Sequence, residues 1–307
     1  MTYAIDTRRL SKYYGSVRGI VDLDLQVAEG EVFGFLGPNG AGKTTAIRLL
    51  LDLIRPSSGS ARVLGLDSVR DSLKIRRRTG YLPGELSLYG RLTGEQNLRY
   101  FAILQGGVEW SYVRALAERL DCDLSRQVRD LSTGNKRKLG LIQALMMRPE
   151  LLILDEPTVG LDPLVQHEFH SLVEESRQTG QTIFLSSHVL PEVQRVCDRV
   201  GFIREGELVA VEDVATIVSR AVRELEVVFA TPVAPQALSG VAGVSDVSVS
   251  GKGLRLKVAG PFDPLVKKLA GFEVVSLTSR EPDLEDLFLA FYGEETGGAE
   301  VGTGHAS

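Results

Sequence analysis

Gly37-Pro38-Asn39-Gly40-Ala41-Gly42-Lys43-Thr44-Thr45 stands between an apolar run, Val32–Leu36, and an amphipathic run that begins at Ala46. The pattern GxxxxGK[ST] between a strand and a helix is the phosphate-binding P-loop in the context that confirms it, whereas a glycine-rich turn needs no such flanks. Glycines let backbone N–H groups face phosphate oxygens where side chains would block the approach. Lys43 then supplies a point charge for the β and γ phosphates of a nucleotide, and the Thr44 hydroxyl is placed to ligate magnesium. The flanking elements make the fold α/β, with a P-loop nucleotide-hydrolase core.

A P-loop alone says only that a nucleotide binds. Leu151-Leu152-Ile153-Leu154-Asp155-Glu156 is a continuous apolar run ending in two carboxylates, which reads as a buried parallel strand delivering acids at its C-terminal end. Ligand sites of open α/β sheets lie at that edge. Asp155 is therefore expected to hold magnesium through water, and Glu156 to polarise the water that attacks the γ-phosphate. Without a P-loop upstream, the same two acids would read as the start of a surface turn.

Between these two stretches stands Leu131-Ser132-Thr133-Gly134-Asn135-Lys136-Arg137, followed by a helical pattern to about residue 148. In chain order, GPNGAGKTT, LSTGNKRK, LLILDEP, Gly160-Leu161-Asp162 and Ser187-His188 resemble the nucleotide-binding subunit of an ATP-binding cassette (ABC) transporter over residues 1 to about 215. The resemblance implies a head-to-tail dimer of two copies with ATP and Mg2+ at the interface. Ser132 and Gly134 would contact the γ-phosphate held by the partner's Lys43. A serine and a glycine opening a helix do present a hydroxyl and free N–H groups to an anion, although Ser132 is equally a good N-cap. By the same resemblance His188 reaches the γ-phosphate and keeps water and Glu156 in register. Asp162 crosses the dimer interface, or simply caps a helix before Pro163. Lys12-Tyr13-Tyr14-Gly15 resembles the loop that stacks a ring on adenine, Tyr14 being the better match, with an ordinary exposed turn tyrosine as the alternative.

Two departures from the family pattern stand out. Many relatives carry a glutamine just after Tyr-Xaa-Pro, where its amide ligates magnesium; here Tyr81-Leu82-Pro83 is followed by Gly84 and Glu85. Gly84 has no side chain to offer, and Glu85 serves only if the loop shifts by one residue. A carboxylate there would bind magnesium and repel phosphate. Thr133 and Asn135 also replace residues of the usual LSGGQ, but the serine and second glycine remain, so activity is expected to survive.

Composition agrees with an intracellular ATPase. The 307 residues suffice for a large domain and a small one, and Cys122 and Cys197 make no disulfide framework. No run approaches the roughly 18 apolar residues of a membrane span, and the first residues lack a signal peptide's apolar core. A formal charge of −5 argues against nucleic acid as partner, and the basic cluster at 74–78 reads as a solvated helix face. The expected partners are a second copy and an integral-membrane permease, with the chain peripheral on the cytoplasmic face of the membrane. The alternative is a non-transport ABC ATPase acting as a nucleotide-dependent switch on ribosomes, DNA or in resistance.

The ATP-binding domain is placed at 1–215, with a helical subdomain at about 86–145 that includes a run at 112–120. An α+β accessory domain follows at 216–293, and small polar residues at 294–307 read as a disordered tail. In the accessory domain Leu225, Val227 and Phe229 alternate as a strand, and 244–249 and 254–258 flank a hairpin turn. A short helix near 235–238, a helix capped by Asp263 before Pro264, and a strand at 272–277 give βαββαβ, a ferredoxin-like order. Leu284, Leu287, Phe288 and Phe291 fall at helix spacing, and the run from Asp283 to Phe288 resembles the end of drug-export and polysaccharide-export cassettes with a separate permease.

Overall fold

The computed structural model describes residues 2–220, 222–251 and 253–280, and the chain divides into two compact units at Val214/Ala215. In the first unit the chain forms β1 (Tyr3–Tyr14), β2 (Val17–Leu23), β3 (Gln26–Ala28), β4 (Val32–Leu36), α1 (Lys43–Leu50), β5 (Ser58–Val63), β6 (Leu66–Asp67) and α2 (Ser72–Arg78). It continues through β7 (Thr79–Leu82), α3 (Gly94–Leu104), α4 (Trp110–Arg119), α5 (Thr133–Leu145), β8 (Leu151–Asp155) and α6 (Pro163–Gln178). β9 (Thr182–Ser187), α7 (Leu190–Val196), β10 (Arg199–Arg204) and β11 (Glu207–Asp213) complete it.

A six-stranded sheet ordered β11-β10-β4-β9-β8-β7 holds the motifs; it is parallel except for β11. Every residue of β4, β8 and β9 is buried, as parallel strands covered on both faces require, which is why they read as apolar runs with polar residues only at their ends. Phe184 of β9 stacks on Phe33 of β4, with centroids 5.9 Å apart, and meets Phe35 at 5.5 Å. Parallel register sets Leu36 beside Ser187 and Ser186 beside Asp155, so the ends of β4, β9 and β8 come level at one edge. The second sheet, ordered β2-β1-β5-β6 with β3 on β1, shares a core with α1 through Ile20, Leu23, Val63 and Ile47.

Within the helical stretch α3 and α4 both pack against α5. Thr93 and Gln96 close a reciprocal capping box at the start of α3, satisfying two of its free N–H groups. Two boundaries differ from the sequence reading. α1 begins at Lys43, three residues before Ala46, because Gly42 takes φ 109° and turns the chain into the helix there. α5 stops at Leu145, short of 148, with Arg148 at φ 47° just before Pro149.

α8 (Val214–Arg220) leads into the second unit, which adds β12 (Val222–Phe229), β13 (Val244–Ser250), β14 (Gly253–Ala259), α9 (Asp263–Leu269) and β15 (Val274–Arg280). These strands form an antiparallel sheet ordered β13-β14-β12-β15. Leu225, Val227 and Phe229 face Leu254, Leu256, Leu265 and Leu269 in its core. The helix expected near 235–238 is a single 3-10 turn, Pro235–Ala237, since Pro235 and the small residues that follow leave too short a run for an α-helix. Asp263 is not the cap of α9 but its first residue; Phe262 precedes it, and the carboxylate pairs instead with Lys267 at 2.7 Å. β15 starts two residues later than expected, because Gly271 and Phe272 close the turn after α9. The helix-spaced residues Leu284, Leu287, Phe288 and Phe291 and the tail at 294–307 lie outside the described residues.

Phe184→Ala removes the ring between two others at the centre of the sheet. A loss of about 3–5 kcal/mol in stability of the first unit is expected, measured by denaturant unfolding; a change under about 1 kcal/mol would show that the three rings are not the packed centre.

Candidate functional site

The phosphate loop leaves β4 at Gly37, whose N–H donates to Ser187 O at 3.2 Å. A Cβ at Gly37 would lie 2.3 Å from Ile203 O, so only glycine fits the exit of the strand. Because α1 starts at Lys43, the N–H groups of its first turn have no helical acceptors and face the loop. The Lys43 ammonium, 6 % exposed, folds back to donate to Gly37 O at 2.6 Å and Pro38 O at 3.1 Å.

Asp155, wholly buried at the end of β8, receives hydrogen bonds on both oxygens: Thr44 Oγ1 donates to Oδ2 at 2.7 Å and Ser186 Oγ to Oδ1 at 2.5 Å. Glu156 follows with φ 52°, a left-handed conformation stabilised by its N–H donating to Ser186 O and Oγ at 3.2 and 3.1 Å. Its Oε1 lies 3.1 Å from Lys43 Nζ, an ionic contact off the hydrogen-bonding direction, and its Oε2 lies 2.9 Å from His188 Nδ1. Lys43, Thr44, Asp155, Glu156 and His188 therefore form one connected cluster. Ser186, to which the sequence reading gave no role, links two of its members.

Thr44 Oγ1 and Asp155 Oδ2 are hard oxygen donors 2.7 Å apart, and no group of three or more His, Cys, Asp or Glu able to hold a metal exists among the described residues. A pair of protein oxygens with the remaining positions left to water and phosphate is the donor set Mg2+ takes. Gly84 faces the same carboxylate, and a Cβ there would sit 3.1 Å from Asp155 Oδ2. Glu85 is exposed and borders an open cleft of about 530 Å3 with Asn39, Lys136, Arg137, Glu156 and His188. A larger depression, about 700 Å3, bordered by Glu29, Tyr112, Arg148 and Glu175, contains none of the cluster.

On the other side of the cleft, Ser132 caps α5 by accepting from Asn135 N–H at 3.2 Å, and its side of the helix is open to solvent. A Cβ at Gly134 would lie 2.6 Å from Gly160 O, so this turn of α5 rests on the turn before Asp162. Asp162 caps α6 by accepting from Val165 N–H at 3.0 Å, a bond that draws its pKa below the ordinary carboxylate value. Among the described residues no hydrogen bond or ion pair joins Ser132, Gly134 or Asp162 to Lys43. Tyr14 is the last residue of β1 rather than part of a free loop, half-exposed, with Lys12 Nζ 5.2 Å from its ring centroid. Its ring and the Thr45 methyl both flank Gly19, at 3.0 and 3.3 Å from where a Cβ would be.

Arg137 and Lys138 have no role in the sequence reading. Arg137, 5 % exposed, donates through Nη1 to Pro83 O at 2.7 Å and Gly84 O at 3.1 Å, and through Nη2 to Asp155 O and Glu156 O. Burial lowers its pKa, and Asp155 and Glu156 oppose that shift. Lys138 is equally buried and reaches Asp121 O at 3.1 Å and Asp162 Oδ2 at 3.7 Å. The available signal was two cations on the otherwise apolar stretch of α5 that includes Leu139, Leu141 and Ile142.

Residues 20–159 match the family described as ABC transporter. The linearmycin resistance ATP-binding protein LnrL of Bacillus subtilis (strain 168) is 32% identical over 305 residues, covering 94% of this chain and 98% of its own. The bacitracin transport ATP-binding protein BcrA of Enterococcus faecalis is 33% identical over 300 residues, covering 95% and 97%. A solved structure of an ATP-binding subunit of an ABC transporter superposes on 70% of this chain and 92% of its own, with a TM-score of 0.64 and 32% identity.

Ser186→Ala would leave Asp155 Oδ1 buried without its donor. The expected cost is about 1–3 kcal/mol in denaturant unfolding, since the carboxylate cannot recover that bond from water; an unchanged midpoint would mean that the hydroxyl is dispensable to the cluster.

Proposed function

This chain belongs to the ABC transporter family as an ATP-binding, ATP-hydrolysing subunit, and from that premise we propose that Glu156 is the base that activates water against MgATP. The reading is carried by the position of its carboxylate, with one oxygen 3.1 Å from Lys43 Nζ and the other 2.9 Å from His188 Nδ1. Phosphate oxygens compete with Oε1 for the Lys43 ammonium, so nucleotide entry frees that oxygen to take a proton from water. His188 keeps the other oxygen turned toward the reacting face. The loop N–H groups and Lys43 hold the β and γ phosphates, and Thr45 and Tyr14 flank the nucleotide beside Gly19. Thr44 and Asp155 would hold Mg2+, which would supply neutralisation of the phosphate charge.

The functional unit is a head-to-tail pair of copies. Ser132 and Gly134 sit at an open helix N-terminus, a place where an anion is favoured, and they reach the γ-phosphate bound to the partner. Asp162 lies beside them, tied to α5 through Lys138. Closure and reopening of that pair drive a separate integral-membrane permease, with this chain on the cytoplasmic face. No described helix is long and apolar enough to cross a membrane. Export is the direction supported by similarity over almost the whole chain to proteins named for linearmycin resistance and bacitracin transport.

Two measurements test this. Glu156→Gln is expected to lower turnover about 10²–10⁴-fold, roughly 2.7–5.5 kcal/mol of barrier, while ATP binding persists; turnover at the wild-type rate would remove Glu156 from the role of base. Tagged chain purified from mildly solubilised membranes is expected to bring a polytopic membrane protein at equal stoichiometry, whereas recovery only from the soluble fraction, alone or with ribosomal proteins, would overturn the transporter assignment.

A further inference from the structure

Arg137 is a buried cation whose four hydrogen-bond acceptors are all backbone carbonyls, two in the loop at Pro83 and Gly84 and two at the end of β8. Two features show what that arrangement controls. Gly84 has no side chain through which the loop could be held, yet it lies against Asp155 Oδ2, the oxygen that takes the Thr44 hydroxyl. Leu82 and Leu86 anchor the loop against Gly140 of α5, and between them Arg137 grips the backbone of Pro83 and Gly84. Glu156, meanwhile, sits at φ 52°, a conformation that persists only where its surroundings over-determine it. Ser186 holds its N–H and Arg137 holds its carbonyl, and between them they set the direction in which the carboxylate leaves the chain.

We propose that Arg137 is a positioning residue for hydrolysis: by clamping the carbonyls of Pro83, Gly84, Asp155 and Glu156 together, it aims the Glu156 carboxylate without touching the nucleotide. A planar fork with several donors at fixed angles suits this task, and a lysine ammonium, a single point charge, cannot span both pairs of carbonyls. Arg137 Nε is buried with no partner, so the two terminal nitrogens alone fix the orientation of the group. Because Arg137 belongs to α5, a displacement of that helix is delivered directly to the aim of the base.

The inference rests on Glu156 acting as the base, and the test separates the two. Turnover and ATP binding of the full-length chain are compared for wild type, Arg137→Lys, Arg137→Gln, Glu156→Gln and the double variant Arg137→Lys/Glu156→Gln, with MgATP as the only ligand. Arg137→Lys is expected to lower kcat about 10–100-fold with KM changed less than about 3-fold, as misaiming a reacting group does. The double variant is expected to turn over within about 3-fold of Glu156→Gln, because a residue that acts through Glu156 has nothing left to aim. Arg137→Lys keeps the buried charge and carries the test if Arg137→Gln does not fold. Wild-type kcat in Arg137→Lys, or a loss confined to KM, would overturn the proposal, as would losses that multiply in the double variant. Wild-type turnover in Glu156→Gln would instead overturn the assignment of the base, and the route through Arg137 with it.

Discussion

The site depends on β9 running between β4 and β8. Its register places Ser187 against the last residue of β4 and Ser186 against Asp155, and those pairings are fixed by backbone hydrogen bonds over the whole strand. A slip of one residue would turn every side chain of β9 to the other face, breaking the Phe33–Phe184 stack and moving the Ser186 hydroxyl away from Asp155 together. The packing of three aromatic rings in the middle of the sheet thus sets the positions of a hydroxyl and a histidine at its edge. Stability and chemistry are joined there, because no apolar residue could move along the strand without carrying the polar ones with it.

At that edge charge is concentrated in a place that burial makes costly. Lys43 and Asp155 are almost or wholly removed from water, and each is made tolerable by specific partners: two carbonyls and Glu156 for the ammonium, two hydroxyls for the carboxylate. A charge buried without such partners would cost several kcal/mol. Glu156 differs. It keeps some exposure, shares Oε1 with a lysine already satisfied by two carbonyls, and holds Oε2 against a histidine that is itself partly open to solvent. Its carboxylate is held by two ionic contacts at a partly open edge, while its backbone is held at both the N–H and the carbonyl.

What the sequence disclosed was whatever is written locally. The P-loop, the apolar run ending in Asp155-Glu156 and the N-cap Ser132 each follow from neighbours in the chain, and the structure brings Lys43, Thr44, Asp155, Glu156 and His188 into one cluster. What it withheld was tertiary. The start of α1 at Lys43 follows from the φ of Gly42, which no periodicity reveals. Asp263 had the composition of a cap, but the chain enters α9 one residue earlier and the carboxylate goes to Lys267 instead. The helix expected near 235–238 shrank to a 3-10 turn, while the strands around it kept the expected order, since strand alternation extends over more residues than a short helical signal. Arg137 showed only as a cation in an apolar stretch, and what it grips was hidden for a different reason: its acceptors are carbonyls, and a carbonyl has no letter in the sequence.

α5 is where these threads meet. Within its first two turns it offers an open N-terminus capped by Ser132, a glycine pressed against Gly160, a guanidinium gripping the loop at 83–84 and the end of β8, and an ammonium beside Asp162. A helix is stiff on that scale, so these contacts cannot shift independently. α3 and α4 pack on α5 as well, so the helical layer is continuous, through α5, with the loop at Gly84, the carbonyl of Glu156 and the turn before Asp162. Glu156 and Gly160, the residues α5 meets at the end of β8 and in the turn before Asp162, both take left-handed conformations, but only Glu156 carries a side chain, so at that contact the backbone geometry is expressed in a carboxylate, the one that faces Lys43 and His188.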